Sequence, residues 1–195
     1  DLASEFADAF GSKDNAKEFF GQFIKAGLMS YKPYGHQVGM MKKAFAEGKN
    51  VVITSGTGSG KTESFLLPLF AQLYKEAKTW TPAKYPEDWY KRNNKKYTPC
   101  QRENEQRPAA LRALVLYPMN ALVADQMSRL RKALDSDPVR SYMDQHLKAN
   151  RIFFGGYNGK TIGRKNFKLL SDFEPDKLGE EQERVAEKLD EIHSR

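Results

Sequence analysis

Apolar residues recur at spacings of three and four over the opening of the chain, the period of an amphipathic helix. Leu2, Phe6 and Phe10 form one stripe, and Phe19, Phe20, Phe23, Ile24 and Leu28 continue it. Gly11 and Gly27 read as stops. After Tyr31-Lys32-Pro33-Tyr34, a further helix is expected from about His36 to Glu47, with Val38, Met41, Ala44 and Phe45 on one face and Gly48 as its C-cap. The period then changes. Asn50-Val51-Val52-Ile53-Thr54 is a short β-branched run that suits a buried strand, and a glycine-rich stretch, 55–60, follows it directly. A helix is expected from about Lys61 to Ala77, carrying Phe65, Leu66, Phe70 and Leu73.

Residues 78–110 break this regularity with four prolines, two tryptophans and three tyrosines among many Lys, Arg and Asn, and they read as an insertion without a core of its own. Ala113-Leu114-Val115-Leu116-Tyr117 is a second strand candidate. A helix is expected from about Ala121 to Leu134. Asp137-Pro138, read as an N-cap and a helix-opening proline, starts another that reaches about Leu147. Arg151-Ile152-Phe153-Phe154 is the third strand candidate, and it ends at Gly155-Gly156. The final stretch, Gly179 to Arg195, is amphipathic through Val185, Leu189 and Ile192. Strand, glycine loop, helix, strand, helix, strand is the alternation that builds a parallel sheet with helices on both faces, so the expected class is α/β.

Composition narrows this picture. With 195 residues and 39% apolar content the chain can bury one sizeable core, and disorder throughout is excluded. Its formal charge of +7 is unevenly placed. Residues 75–112 and 128–170 are strongly basic, while 1–30 and 171–195 are acidic. The basic blocks permit a polyanionic partner, although solvated faces would account for them too. One cysteine, Cys100, excludes an internal disulfide framework and points to a reducing compartment, the cytoplasm. The strongest apolar stretches fall short of the roughly 18 residues of a membrane span. No signal peptide opens the chain, and Asp1 stands where an initiator Met would, so a piece of something longer is expected.

Ser55-Gly56-Thr57-Gly58-Ser59-Gly60-Lys61-Thr62 carries the clearest chemistry. Glycines let a backbone wrap round an anion, exposed N–H groups donate to phosphate oxygens, and the following helix turns its positive end to the same place. Lys61 is expected to pair with the β and γ phosphates of a nucleotide, and the Thr62 hydroxyl to complete a Mg²⁺ shell. The pattern GxxxxGK[ST] is not met, because Ser55 stands at its first glycine. The variant AxxGxGKT is met, with Ser55 for the alanine.

That variant, with further motifs in order, is similar to motif I of the superfamily 2 helicases. Pro33 and Gln37 resemble the proline and glutamine of the Q motif, where the glutamine amide reads adenine; Tyr31 or Tyr34 could stack on the base, or pack as core. Phe10 is the nearest option for the family's upstream aromatic. Tyr117-Pro118-Met119-Asn120-Ala121-Leu122-Val123-Ala124-Asp125-Gln126 resembles motif Ia, which grips a sugar-phosphate backbone. Carried over, Pro118 and Asn120 become nucleic-acid contacts, with Arg129 and Arg131 further along; a solvated helix face explains the two arginines equally well. Gly155 and Gly156 resemble the glycine pair of motif Ib, which Lys160, Thr161, Arg164 and Lys165 could extend. The combination is closest to large bacterial anti-phage helicases such as the DISARM helicase.

The resemblance implies a RecA-like P-loop NTPase domain, here incomplete, over 31–170, with a helical segment at 1–30 and a charged helical segment at 171–195. It implies an ATP-dependent DNA helicase or translocase taking single strands or duplexes with single-stranded ends, with other subunits of a defence complex as further partners. A duplex translocase that does not unwind, and a nucleotide-sensing scaffold, stay open beside it. Motif II is absent unless Asp190-Glu191-Ile192-His193 supplies it. The charged helical pattern of 180–189 argues that this DExH is a chance match, because burying it as a central strand would be costly. True motif II and a second RecA-like domain are then expected beyond Arg195, and the fragment alone is expected to be inactive. His36 and His146 lack partners at metal spacing, and Cys100 lacks a motif. Trp80, Tyr85, Trp89, Tyr90 and Tyr97 could stack bases, with packing the favoured role.

Overall fold

The computed structural model describes residues 1–54, 56, 58–83, 107 and 110–157. The Asp1 carboxylate accepts from the Ala3 N–H at 3.1 Å and opens α1 (Leu2–Glu5). The next helix, α2 (Ala7–Phe10), stops at Gly11, whose φ of +78° is the left-handed conformation that a glycine adopts without strain. Ser12 caps α3 (Lys13–Glu18), which passes through a π-helical turn, Phe19–Phe23, into α4 (Ile24–Gly27). The widened turn carries both Phe19 and Phe23 into the core, with Phe20 packed beside them.

After Tyr34 come α5 (Gly35–Met41) and a second π-helical segment, Lys42–Ala46. Then follow α6 (Lys61–Ala77), α7 (Asn120–Leu134) and α8 (Asp137–His146). The N-cap of α8 is Ser136, one residue before the expected cap, which leaves Asp137 and Pro138 inside its first turn.

The expected α/β class is not what forms. The described residues contain helices, turns and irregular segments but no strand. Asn50–Thr54 and Ala113–Tyr117 form neither helix nor strand, with Val52 88%, Leu114 72% and Leu116 81% exposed. A β-branched run encodes extended backbone locally, but a strand also needs a neighbour to take its N–H and C=O groups, and a parallel strand needs both faces covered. Residues 151–154 are likewise unladdered, although Ile152 is buried and Phe154 packs on the core.

Two compact units divide the chain, Asp1–Ala83 with Gln106–Phe154, and Lys84–Glu105 with Gly155–Arg195. The first holds the helices, and its core is an aromatic seam. Phe10 lies 4.9 Å from Phe19 and 4.7 Å from Phe45, ring to ring. Phe19 and Phe23 stand 5.5 and 5.3 Å from Tyr74 of α6, and Phe23 reaches Tyr142 of α8 at 5.6 Å. Each fully buried phenylalanine contributes roughly 1.5–3 kcal/mol. At Gly27 the backbones meet so closely that an added Cβ would lie 2.5 Å from the Lys132 carbonyl oxygen and 2.6 Å from Val139 Cγ2.

A polar cluster threads the same seam. The Tyr74 hydroxyl donates to Glu18 at 2.8 Å, Lys78 pairs with the same carboxylate, and the Tyr142 hydroxyl lies 3.2 Å from that of Tyr74. His146 stacks on Tyr142. Burial pushes the Tyr142 phenol up to about 12 and that of Tyr74 further up.

At the edge of the first unit, the chain entering the 84–105 stretch is pinned by the turn after α8. Lys148 and Ala149 both have positive φ, 56° and 59°. The Lys148 carbonyl accepts from the Ala83 N–H at 3.0 Å, and Asn150 Nδ2 donates to the Thr81 carbonyl at 2.8 Å. Arg107 lies 3.7 Å above the Trp80 ring and donates to the Arg151 carbonyl at 2.7 Å. Trp80 therefore packs, and Glu76 holds its indole N–H at 3.2 Å together with Arg112. None of the described helices is long and apolar enough to cross a membrane.

Candidate nucleotide-binding site

Of the glycine-rich loop, Gly56 and Gly58 to Thr62 are described; Ser55 and Thr57 lie outside the described residues. Gly58 and Gly60 both have φ of +76°, and Gly60 is the N-cap of the seventeen-residue α6. Nothing lies within 4 Å of where a Cβ would stand on Gly56 or Gly58, so the loop backbone is open to an incoming anion. Lys61 and Thr62 are the first two residues of α6, set where the helix concentrates unpaired N–H groups and positive potential. The Lys61 ammonium and the Ser59 hydroxyl both donate to one acceptor, the Gly56 carbonyl, the latter at 2.9 Å. This donor set fits a polyphosphate: an ammonium and a hydroxyl meet on one exposed carbonyl just before the N-terminus of α6, and Thr62, next to Lys61, would supply the hydroxyl for a Mg²⁺ shell.

Gln37 supports the loop from within. Its side chain is fully buried; Oε1 accepts from the Tyr34 N–H at 2.9 Å, and Nε2 donates to the Gly60 carbonyl at 3.1 Å. Ser64 Oγ donates to that same carbonyl at 3.0 Å. The amide thus spans the 23 positions between the α5 entrance and the loop, and contact with an adenine edge would require it to leave one of these bonds. Tyr31 and Tyr34 stay exposed beside it with rings 5.5 Å apart, and His36 stacks on Tyr34.

The motif Ia candidates sit on and before α7. Pro118 and Asn120 are exposed, Asn120 as the first residue of the helix. Arg129 points to α6, where its NH1 meets Glu63 Oε1 at 3.2 Å, while its Nε donates to Asp125 at 3.1 Å. Burial raises the Tyr117 phenol above its ordinary value; Arg129 opposes that shift and Asp125 adds to it. Arg131 lies in the last turn of α7 and is exposed. Gly155 and Gly156 are exposed and belong to the second unit. Lys160, Thr161, Arg164, Lys165, Cys100 and the Asp190–His193 tetrapeptide lie outside the described residues, as do Tyr85, Trp89, Tyr90 and Tyr97. Phe10 is buried, so it offers no face to a base.

Glu63 was not among the residues singled out by motif. Its signal was present in the sequence: an acid directly after the Lys-Thr pair, and an Asp125–Arg129 spacing that presents a guanidinium on one face of α7.

Comparison with known proteins agrees with the motif order. The family model for DEAD/DEAH box helicases matches residues 35–187. Druantia protein DruE of Escherichia coli (strain UMEA 4076-1) is 32% identical over 148 residues, which cover 75% of this chain and 7% of that protein. The chain thus spans a small fraction of the curated relative it matches. No solved structure matches it.

Proposed function

The chain belongs to the DEAD/DEAH box helicase family, and on that premise we propose that it is the ATP-binding part of a longer DNA helicase or translocase acting in anti-phage defence. The observation that carries this reading is that Lys61, the first residue of α6, and Ser59 both donate to the exposed Gly56 carbonyl. An arriving triphosphate would take the Lys61 ammonium from that carbonyl and gain the loop N–H groups, with Mg²⁺ at Thr62 neutralising phosphate charge. Gln37 fixes the loop through Gly60, and the Tyr31–Tyr34 pair offers the base a stacking face.

Pro118 and Asn120 are proposed as strand-gripping residues, with Arg129 joining them when released from its carboxylates; Gly155 and Gly156 are proposed separately as nucleic-acid contacts. Other subunits of a defence complex are proposed partners. The test is ATP hydrolysis by the intact protein with and without DNA. Stimulation that vanishes in Lys61→Ala is the expected result, and strand displacement then separates unwinding from translocation alone. Hydrolysis indifferent to DNA would instead favour a nucleotide-sensing scaffold.

A further inference from the structure

Among the described residues an ion pair connects the first turn of α6, beside the proposed nucleotide loop, to α7, the helix proposed to meet nucleic acid. Glu63 stands in the first turn of α6, next to Thr62, with its side chain 16% exposed. Arg129 comes from 66 positions later, on α7, and its side chain is 49% exposed. Its guanidinium is shared between Glu63 and Asp125. The planar fork that serves these carboxylates also fits a phosphate, and it cannot serve all three fully at once.

Resting on the function proposed above, we infer that Glu63 is a positioning residue that couples the two sites: a nucleic-acid phosphate displaces it from Arg129, and its uncompensated charge then opposes nucleotide phosphates at the α6 N-terminus. Asp125, four residues before Arg129 on the same helix, keeps the guanidinium at this face during the exchange. The coupling has a definite sign. Nucleic acid on Arg129 weakens nucleotide binding, and linkage requires nucleotide to weaken nucleic acid by the same factor. An exposed pair of this kind carries about a two- to five-fold effect.

The experiment is a binding cycle on the intact protein with a fluorescent non-hydrolysable ATP analogue and a single-stranded deoxyoligonucleotide at low salt. The readout is the ratio of nucleotide Kd with saturating oligonucleotide to that without it. In Glu63→Gln the oligonucleotide is expected to bind about two- to five-fold tighter and the ratio to fall by a similar factor. Arg129→Gln lowers the ratio while weakening the oligonucleotide, and it carries the test if Glu63→Gln does not fold. Glu63→Asp, which keeps the charge, retains most of the wild-type ratio. An unchanged or enlarged ratio in both neutral variants, with both ligands bound, overturns the coupling and leaves the proposed function standing. Failure of the wild type to bind any oligonucleotide overturns both.

Discussion

The buried amide of Gln37 donates to the carbonyl of Gly60 at 3.1 Å, so a residue at the start of α5 holds the last glycine of the phosphate loop. Gly60 carries φ of +76°, and a Cβ there would lie 2.6 Å from Gln37 Nε2. Gln37→Ala removes the acceptor of the Tyr34 N–H and one donor to the Gly60 carbonyl, which keeps Ser64, at about 1–3 kcal/mol for the buried polar group left unmade. The expected outcome is a lower melting temperature and weaker binding of an ATP analogue. Gln37→Glu should be worse, because it sets a carboxylate against the carbonyl. An unaltered analogue Kd in Gln37→Glu would show that the strut does not shape the site.

Gly27→Ala should destabilise the protein by about 1–3 kcal/mol, the usual range for overpacking, because the new methyl meets the backbone of α7 and cannot be relieved by a rotamer change. Gly21→Ala is the control: nothing lies within 4 Å of its Cβ position, and alanine is the better helix former. Thermal denaturation of the two variants should separate them in opposite directions. Equal melting temperatures would refute the close approach at Gly27.

Glu18 links pH to stability. Burial works to raise its carboxyl, but hydrogen bonds from Lys78 and Tyr74, with the Lys78 charge, outweigh burial and hold it below its ordinary value of 4.5. A carboxyl depressed in the folded state contributes stability that is fully present above the unfolded value and is lost as pH falls through the folded one. Glu18→Gln should therefore be less stable than wild type at neutral pH, with the gap closing as pH drops below 4.5. Denaturant titrations at pH 7 and at acid pH read this directly; a gap independent of pH would assign the loss to packing instead.

Ala149 holds a left-handed φ of 59°, a conformation that disfavours a side chain. Ala149→Gly should raise stability by about 0.5–1 kcal/mol, the steric relief less the greater chain entropy of glycine. A fall in melting temperature would mean that the methyl group makes contacts that outweigh the strain.

The helices were legible because their signals are local. Lys61–Ala77 was delimited by its period, and Gly11 and Gly48 take the positive φ expected of helix-ending glycines. The π-helical turns were not legible, since one extra residue in a turn leaves the three-and-four spacing of Phe19, Phe20 and Phe23 almost unchanged. Nor was the absence of a ladder at the strand candidates. Val52 and Leu116 carry the residue types of buried strands, but pairing depends on partners far along the chain, which no local pattern specifies. At the candidate site, the glycine pattern marks the loop and the resemblance marks motif Ia, but neither specifies the bonds of Gln37 and Arg129. The Q-motif resemblance implies that the Gln37 amide meets a base, whereas it bonds the Gly60 carbonyl; for Arg129 the sequence allows a nucleic-acid contact or a solvated face, and it is ion-paired to Glu63.

The Gly56 carbonyl has a consequence for what the loop can be made to hold. Because it already engages Lys61 and Ser59, an anion must outbid a resident ligand rather than fill a vacancy, and its apparent affinity is scaled by the fraction of molecules in which the ammonium has let go. A singly charged ion gives Lys61 little that the carbonyl does not. If the proposed function holds, a polyphosphate would replace one neutral acceptor with several charged ones, and the loop would then select by charge density.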